Sequence, residues 1–431
     1  MGHKFTKILE DSIILLMKTC TFAPNFENME NELTLNEIYR ASYALKSIIR
    51  KTNLVISPSI RKDCEIYIKP ENLQVTGSFK VRGASYMISQ LSDEERKHGV
   101  IACSAGNHAQ GVALAAKAYG IKATICLPKG APISKVEATR SYGAEICLVP
   151  GVYDDAYKRA LELKDEKNMT FVHPFDDIKV IAGQGTIGLE IMNEMADVDA
   201  IIVPVGGGGL ISGVAYAAKQ LNPNVKVYGV QAQGAPSMVK SLEHDQIKSL
   251  VKVSTIADGI AVKQPGNYTY DFCKKWVDKI VTVSDDEVCA AILLLLEKHK
   301  LIAEGAGAVS VAAAMFGHIP LEGKKAVCVV SGGNIDVTSL NRIINRGLQM
   351  NGRQFTVALE IKDRPGELVN IATLIAKSGA NITAISHERT NSDINVNSCV
   401  LRITMETRDI NHIEEIKEAL INNKFNIIKE K

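Results

Sequence analysis

The sequence predicts an α/β protein, with parallel sheets wrapped by helices, followed by a separate small domain of the ferredoxin-like βαββαβ plan. From about residue 65, short apolar runs alternate with stretches of helical spacing, the pattern of strands joined by crossover helices. Two runs, 200–205 and 326–330, are continuously apolar, as strands covered on both faces are. After about residue 350 the order changes to strand, helix, two strands, helix and strand within about 80 residues, which defines the second domain.

Residues 1–30 show no clear partner pattern and read as an N-terminal arm. Helical spacing runs from Leu33 through Ile49. Residues 64–68, 99–103, 123–127 and 145–149 read as strands, and 80–91, 108–119, 134–142 and 154–164 as the helices that follow in alternation. Strands resume at 200–205, 226–231, 279–283 and 326–330. Residues 346–352 read as a linker. In the tail, 354–361, 381–390, 398–407 and 425–429 read as strands, with helices at 365–378 and 410–420. Pro365 suits a first helical position, and Gly366 permits a close backbone approach.

Composition narrows the function. The 431 residues suggest two to four domains at roughly 100–200 residues each. A formal net charge of +2 gives no general field for nucleic acid or acidic lipid. The apolar runs at 290–296 and 305–317 fall short of the roughly 20 residues that span a bilayer. Near the N-terminus, residues 13–17 are apolar, but Glu10 and Asp11 precede them and Lys18 ends them, so a secretory signal is not expected. The nine cysteines are odd in number, scattered and without CxxC spacing, which argues against a disulfide framework or thiolate zinc site and for a reducing, cytoplasmic setting. The nine histidines include no HExxH, and no metal is expected.

Chemistry concentrates in four segments. In the first, strand 200–205 runs into Gly206, Gly207, Gly208 and Gly209, with Leu210 opening a helix. Glycines let backbone N–H groups approach an anion, and the helix N-terminus adds a favourable dipole, so this is a candidate phosphate cradle. A ligand-free strand–helix turn is the alternative. The dinucleotide pattern GxGxxG fails because Ile211 stands at the third glycine position, and GxxxxGK[ST] is absent, which leaves a single-phosphate cofactor as a candidate. The second segment is Gly77-Ser-Phe-Lys80, where Ser78 resembles an N-cap that puts Lys80 in the first helical turn. Alone, Lys80 reads more readily as a solvated surface lysine. The third, Ser104-Ala-Gly-Asn-His108, could hold a carboxylate through its backbone donors with Ser104, Asn107 and His108, or be an ordinary capped loop. The fourth, Ser331-Gly-Gly-Asn334, follows a strand. All four sit where ligands bind in open α/β sheets, at the carboxyl ends of strands.

Together the segments resemble the fold type II pyridoxal-phosphate enzymes, and within them the threonine/serine dehydratase (threonine ammonia-lyase) group, over about residues 35–345. Ala182-Gly-Gln-Gly-Thr186 and Ala257-Asp-Gly259 are similar to pieces of the same group. The resemblance implies a catalytic unit over 31–345, with a smaller subdomain of about 83–175 inserted in a larger one. It implies that Lys80 carries pyridoxal 5'-phosphate as a Schiff base and, once freed, takes the substrate's Cα proton. Phe79 would pack on the ring, residues 206–210 would bind the phosphate, Asn107 would meet the ring hydroxyl and Ser331 the ring nitrogen. Ser104, Asn107 and His108 would clamp the substrate carboxylate. The implied reaction is deamination of L-threonine to 2-oxobutanoate, and of L-serine to pyruvate, by loss of water. Related serine racemases place an acid/base serine immediately before the Gly-Asn pair, where this chain has Ala105, which favours the dehydratase over a racemase. A non-catalytic amino-acid sensor is the reading from another class. Several relatives carry a cation-holding carboxylate near Gln231-Ala-Gln-Gly234, and Gln233 weakens that feature here.

The tail at 353–431 resembles an ACT domain, with Asp363-Arg-Pro-Gly366 at its first turn. That implies a regulatory module for an amino-acid effector, or a pairing domain that binds nothing, and in either case a homodimer or homotetramer.

Overall fold

The structure is a computed structural model and describes residues 32–389 and 397–428. The arm at 1–30 lies outside the described residues, as do the expected ends of two tail strands at Thr390 and Lys429. Six strands form the larger sheet, in the order β1 (Val55–Ile56), β2 (Glu65–Pro70), β10 (Lys325–Val330), β7 (Ala200–Pro204), β8 (Lys226–Ala232) and β9 (Lys279–Val283). All its pairings are parallel except that of β1 with β2. A second sheet, wholly parallel, runs β5 (Glu145–Val149), β4 (Ala123–Pro128), β3 (Val100–Cys103), β6 (Thr170–Phe171). The third is antiparallel, in the order β12 (Asn381–Glu388), β13 (Ser398–Glu406), β11 (Gln354–Lys362), β14 (Asn426–Ile427).

Strand β2 precedes β3 in the chain but belongs to the larger sheet, so the path crosses from one sheet to the other through Lys80–Ser89. Alternation along a sequence does not say which sheet a strand joins. Both faces of β7 and β10 are covered, and their side chains are buried almost throughout, which explains their unbroken apolar runs. One cover is the helix Gly305–Met315, built of Gly, Ala, Val and Ser up to its last residue. Its small side chains let it lie close on the sheet, and Ser310 Oγ donates to the Val329 carbonyl at 2.7 Å. The run at 305–317 is therefore a core helix.

Helix Lys80–Ser89 crosses helix Ile178–Glu194 where Gly83 faces Gly183. A Cβ added at Gly183 would stand 2.6 Å from the Gly83 Cα, so only glycine allows this approach. The Ala182-Gly-Gln-Gly-Thr186 segment is thus a packing device, and Gln184 accepts from the Gly83 N–H at 3.2 Å. Below the crossing lies a buried ionic cluster. Arg82 bonds Glu71 (Nε–Oε2, 2.7 Å) and Glu190 (Nη1–Oε1, 2.6 Å), and Lys69 bonds Glu190 at 2.5 Å. Burial alone would raise the Glu190 carboxyl, but beside Arg82 and Lys69 it is held below its ordinary value. The cluster ties β2, its following turn and two helices into one frame around Lys80.

Several local expectations are corrected. Ser78 is not an N-cap: Phe79 is already helical (φ −60, ψ −20), no side chain caps the helix, and Ser78 instead forms a β-bridge with Gly332. Within residues 346–352, read as a linker, helix Val337–Met350 runs through Arg346, which pairs with Asp286. Pro365 lies before its helix, which begins at Glu367, and Gly366 serves its left-handed φ of +97 rather than any close contact.

Candidate active site

The four polar segments converge where the carboxyl ends of β2, β3, β7 and β10 face one another. Main-chain bonds stitch the second segment to the fourth: Phe79 N–H donates to the Ser331 carbonyl at 3.0 Å and Gly333 N–H to that of Gly77 at 2.9 Å. Asn334 Nδ2 donates to Thr76 O and to Asn107 Oδ1, each at 2.7 Å, which brings in the third segment.

Lys80 is the first residue of its helix, and its Nζ donates to the Pro174 carbonyl at 2.7 Å. The next residue, Phe175, lies against the glycine loop: an added Cβ at Gly207 would meet its ring at 2.5 Å, and one at Gly209 its carbonyl at 2.8 Å. The amine and the glycine loop thus border the same two-residue segment. Lys80 is half-buried as a residue. Burial around its nitrogen pulls the amine down to about 8, against the opposing pull of Glu304. The Phe79 ring centroid is 5.3 Å from the Lys80 Nζ.

The glycine loop ends with Gly208 at φ +102, immediately before helix Gly209–Leu221. A side chain at 208 would be strained by that angle and would strike Thr269. The first helical N–H groups have no intrahelical acceptor, and Leu210 seats this turn in the core. Ser331 is buried, and its hydroxyl makes only a long 3.3 Å bond to the Ala306 carbonyl, so it remains available to another partner. The Ser78 hydroxyl, beside Phe79, is buried with no hydrogen-bond partner among the described residues.

In the third segment, Ser104 Oγ accepts from the Gly106 N–H at 3.2 Å and shapes the turn into helix Asn107–Ala118. The His108 side chain is engaged within the protein. Its Nε2 lies 2.8 Å from the Val172 carbonyl, and burial, reinforced by Lys80, lowers its pKa to about 3. A neutral imidazole turned toward Val172 is not a cationic clamp. The His108 backbone N–H lies in the first turn of the helix, where N–H groups lack an intrahelical acceptor.

Sequence reasoning missed three participants. Glu304 is 5% exposed and accepts from Asn107 Nδ2 at 2.6 Å. Burial, then Asp258, push its carboxyl up to about 7. Its signal was faint, a single charge ahead of the Gly/Ala helix. Asn334 was quoted within its motif but given no role. The third is the pair Lys135–Asp258, joined at 2.7 Å, which links helix Ile133–Ser141 to the short turn Asp258–Ile260. These residues, with Asp336 and Arg342, line a cleft of about 280 Å³ that reaches Glu304.

The pyridoxal phosphate implied by the resemblance fits this donor set. Side chains at Gly207, Gly208 and Gly209 would strike Phe175 or Thr269, so the loop backbone stays bare, a half-buried lysine has a lowered pKa, and hydroxyl and amide donors stand at Ser331 and Asn107.

The comparisons agree with this geometry. Residues 45–332 match the family model for pyridoxal-phosphate dependent enzymes, and residues 351–424 match that of the ACT domain. The L-threonine ammonia-lyase of Thermotoga maritima is 49% identical over 391 residues, covering 90% of this chain and 97% of that one. Among solved structures, threonine deaminase isoform 2 of Solanum lycopersicum superposes with a TM-score of 0.68 at 38% identity, over 73% of this chain and 96% of that one. Maize serine racemase does so with a TM-score of 0.69 at 34% identity, over 74% and 98%. On the fold, the glycine loop with its facing lysine, and these matches together, the chain belongs to the pyridoxal-phosphate dependent enzyme family, of fold type II, and carries a C-terminal ACT domain.

Proposed function

We propose that this enzyme deaminates L-threonine to 2-oxobutanoate and ammonia, and L-serine to pyruvate and ammonia, by eliminating water. The observation that carries the reading is the lysine amine of lowered pKa held beside the glycine loop. When bound, pyridoxal phosphate supplies the electron sink that makes an amino acid's Cα proton removable.

The chain's own residues supply the rest. Residues 206–210 would hold the phosphate through backbone N–H groups, and Phe79 would pack against the ring. Ser331 meets the ring nitrogen with a hydroxyl, which leaves that nitrogen neutral where a carboxylate would keep it protonated. Asn107 meets the ring oxygen. Ser104 and the backbone N–H groups of Asn107 and His108 receive the substrate carboxylate at the helix N-terminus. Lys80 Nζ takes the Cα proton, which requires an unprotonated amine, and burial lowers its pKa toward that state. The substrate hydroxyl leaves as water. The assay is formation of 2-oxo acid from both substrates; a cofactor-loaded protein that forms none from either would overturn the reading.

Replacing a loop glycine tests the cradle. Gly207→Ala puts a Cβ 2.5 Å from the Phe175 ring. Strain of roughly 1–3 kcal/mol is expected there, a loss of about five- to 150-fold in cofactor affinity. Fluorescence titration of the apoenzyme measures it.

Ala105 argues against racemisation. Inverting Cα requires a proton donor on the face opposite the base, and alanine has no proton to give. Ala105→Ser is therefore expected to raise D-serine formation relative to pyruvate. Chiral chromatography of the remaining serine checks this, and an unchanged ratio would contradict the role assigned to position 105.

The ACT domain is read as the site of an amino-acid effector, and ACT pairing as the basis of a homodimer or homotetramer. The eight described cysteines are free, which supports a reducing, cytoplasmic setting.

A further inference from the structure

Glu304 is hard to explain as packing. It stands before helix Gly305–Met315 in N-cap geometry (φ −78, ψ 168), yet its side chain makes no capping bond. A carboxylate beside a helix N-terminus is ordinarily drawn to the free N–H groups there. This one turns away to Asn107. Among the described residues no ion pair neutralises it, so its burial carries a real desolvation cost. Gly332 makes room for it: a Cβ there would approach Glu304 Oε1 to 2.5 Å.

The hydrogen-bond chain that ends on Glu304 has one consistent direction. The Thr76 carbonyl can only accept, so the Asn334 group facing it is Nδ2. That same nitrogen faces Asn107, which must therefore present Oδ1 to it and Nδ2 to Glu304. An amide nitrogen carries two hydrogens, and one remains free on Asn107.

We propose that Glu304 is a positioning residue for the deamination, holding the Asn107 amide so that its remaining Nδ2–H is kept for the cofactor's ring oxygen. This rests on the reading that Asn107 meets that oxygen. An ionised carboxylate grips an N–H more strongly than a neutral acid does. The groups that face Glu304 are Lys80 and Asn107 on their helices, Lys135 on helix Ile133–Ser141, Asp258 on its short turn, and Asn334, Asp336 and Arg342 around the cleft. Asp258 and burial favour the neutral acid, whereas Asn107, Lys135 and Lys80 favour the charge, and the balance falls at about 7. The hold on Asn107 therefore strengthens as pH rises through neutrality.

The test uses holoenzyme carrying Glu304→Gln, Glu304→Ala or Asn107→Ala, with circular dichroism to verify folding. The readouts are the visible spectrum of the bound cofactor, titrated across neutrality, and the cofactor dissociation constant. The wild type is expected to show a spectral transition near 7. Glu304→Gln keeps an acceptor for Asn107, so its cofactor affinity is retained while the transition disappears. Glu304→Ala loses both, with affinity falling about tenfold, the worth of one hydrogen bond to a charged group. A merely structural role would not separate glutamine from alanine in this way. A transition that persists in Glu304→Gln overturns the proposal. So does a Glu304→Ala spectrum like the wild type's alongside a changed Asn107→Ala spectrum, which leaves the placement of Asn107 standing. An Asn107→Ala spectrum identical to the wild type's at every pH overturns that placement and the proposal with it.

Discussion

Replacing Lys80 with alanine is expected to lower turnover of L-threonine by about 10⁴-fold or more, since proton transfer by a positioned base is by itself worth roughly 10²–10⁴. The loss should appear in kcat, because the cofactor's phosphate would be held elsewhere, by residues 206–210. Lys80→Arg is expected to be equally inactive. A guanidinium keeps the charge and much of the length but stays protonated at any working pH. Added methylamine should restore part of the rate to Lys80→Ala and none to Lys80→Arg, where the cavity is filled. In the wild type, a base whose pKa lies near 8 gives activity that rises with pH through that region, because only the deprotonated amine can accept the proton. Steady-state 2-oxo acid formation measures all of these. A Lys80→Ala enzyme within tenfold of wild type would assign the base to another residue.

Arg82→Met is expected to produce the largest loss of stability, about 3–5 kcal/mol, the usual cost of leaving a buried charge without its partner. The guanidinium is wholly buried and serves two carboxylates. Removing it leaves Glu71 without a cation in contact and Glu190 with Lys69 alone. Because Arg82 sits two residues beyond Lys80 on the same helix, the frame that orients the amine loosens as well. Trp276 is the single tryptophan and reports denaturant unfolding by its fluorescence. The double variant Arg82→Met/Glu71→Gln is expected to recover part of the loss, because it no longer buries an unpaired charge at 71. A single variant within about 1 kcal/mol of wild type would mean the cluster is solvated enough to behave like a surface pair.

Much of this architecture was legible because burial on both faces leaves unbroken apolar runs, as at β7 and β10, and because glycine clusters mark strand–helix turns. Antiparallel strands with one covered face, such as β13, alternate visibly, so the tail could be read nearly element by element. The sheet to which β2 belongs was not legible in its local pattern and was implied only by the resemblance, since nothing local records a partner more than 250 residues away, as the pairing Ile68 with Cys328 shows. Ser78 looked like a cap from its residue type, but the bridge to Gly332 decided its conformation. His108 looked like a ligand-binding side chain because the motif is polar, and only the structure shows it turned to the Val172 carbonyl. Glu304 escaped because its meaning lies wholly in tertiary contact: nothing near it in sequence calls for a carboxylate, and its partner Asn107 is 197 residues away.

Reduction of the holoenzyme with borohydride, followed by peptide mass spectrometry, asks directly which amine of this chain bonds the cofactor. The expected result is one pyridoxyl group per chain, on the peptide that contains Lys80, and none when L-threonine analogues have displaced it. A label on any other lysine, or an unmodified Lys80 in a protein that retains its visible absorption band, would contradict the site described above.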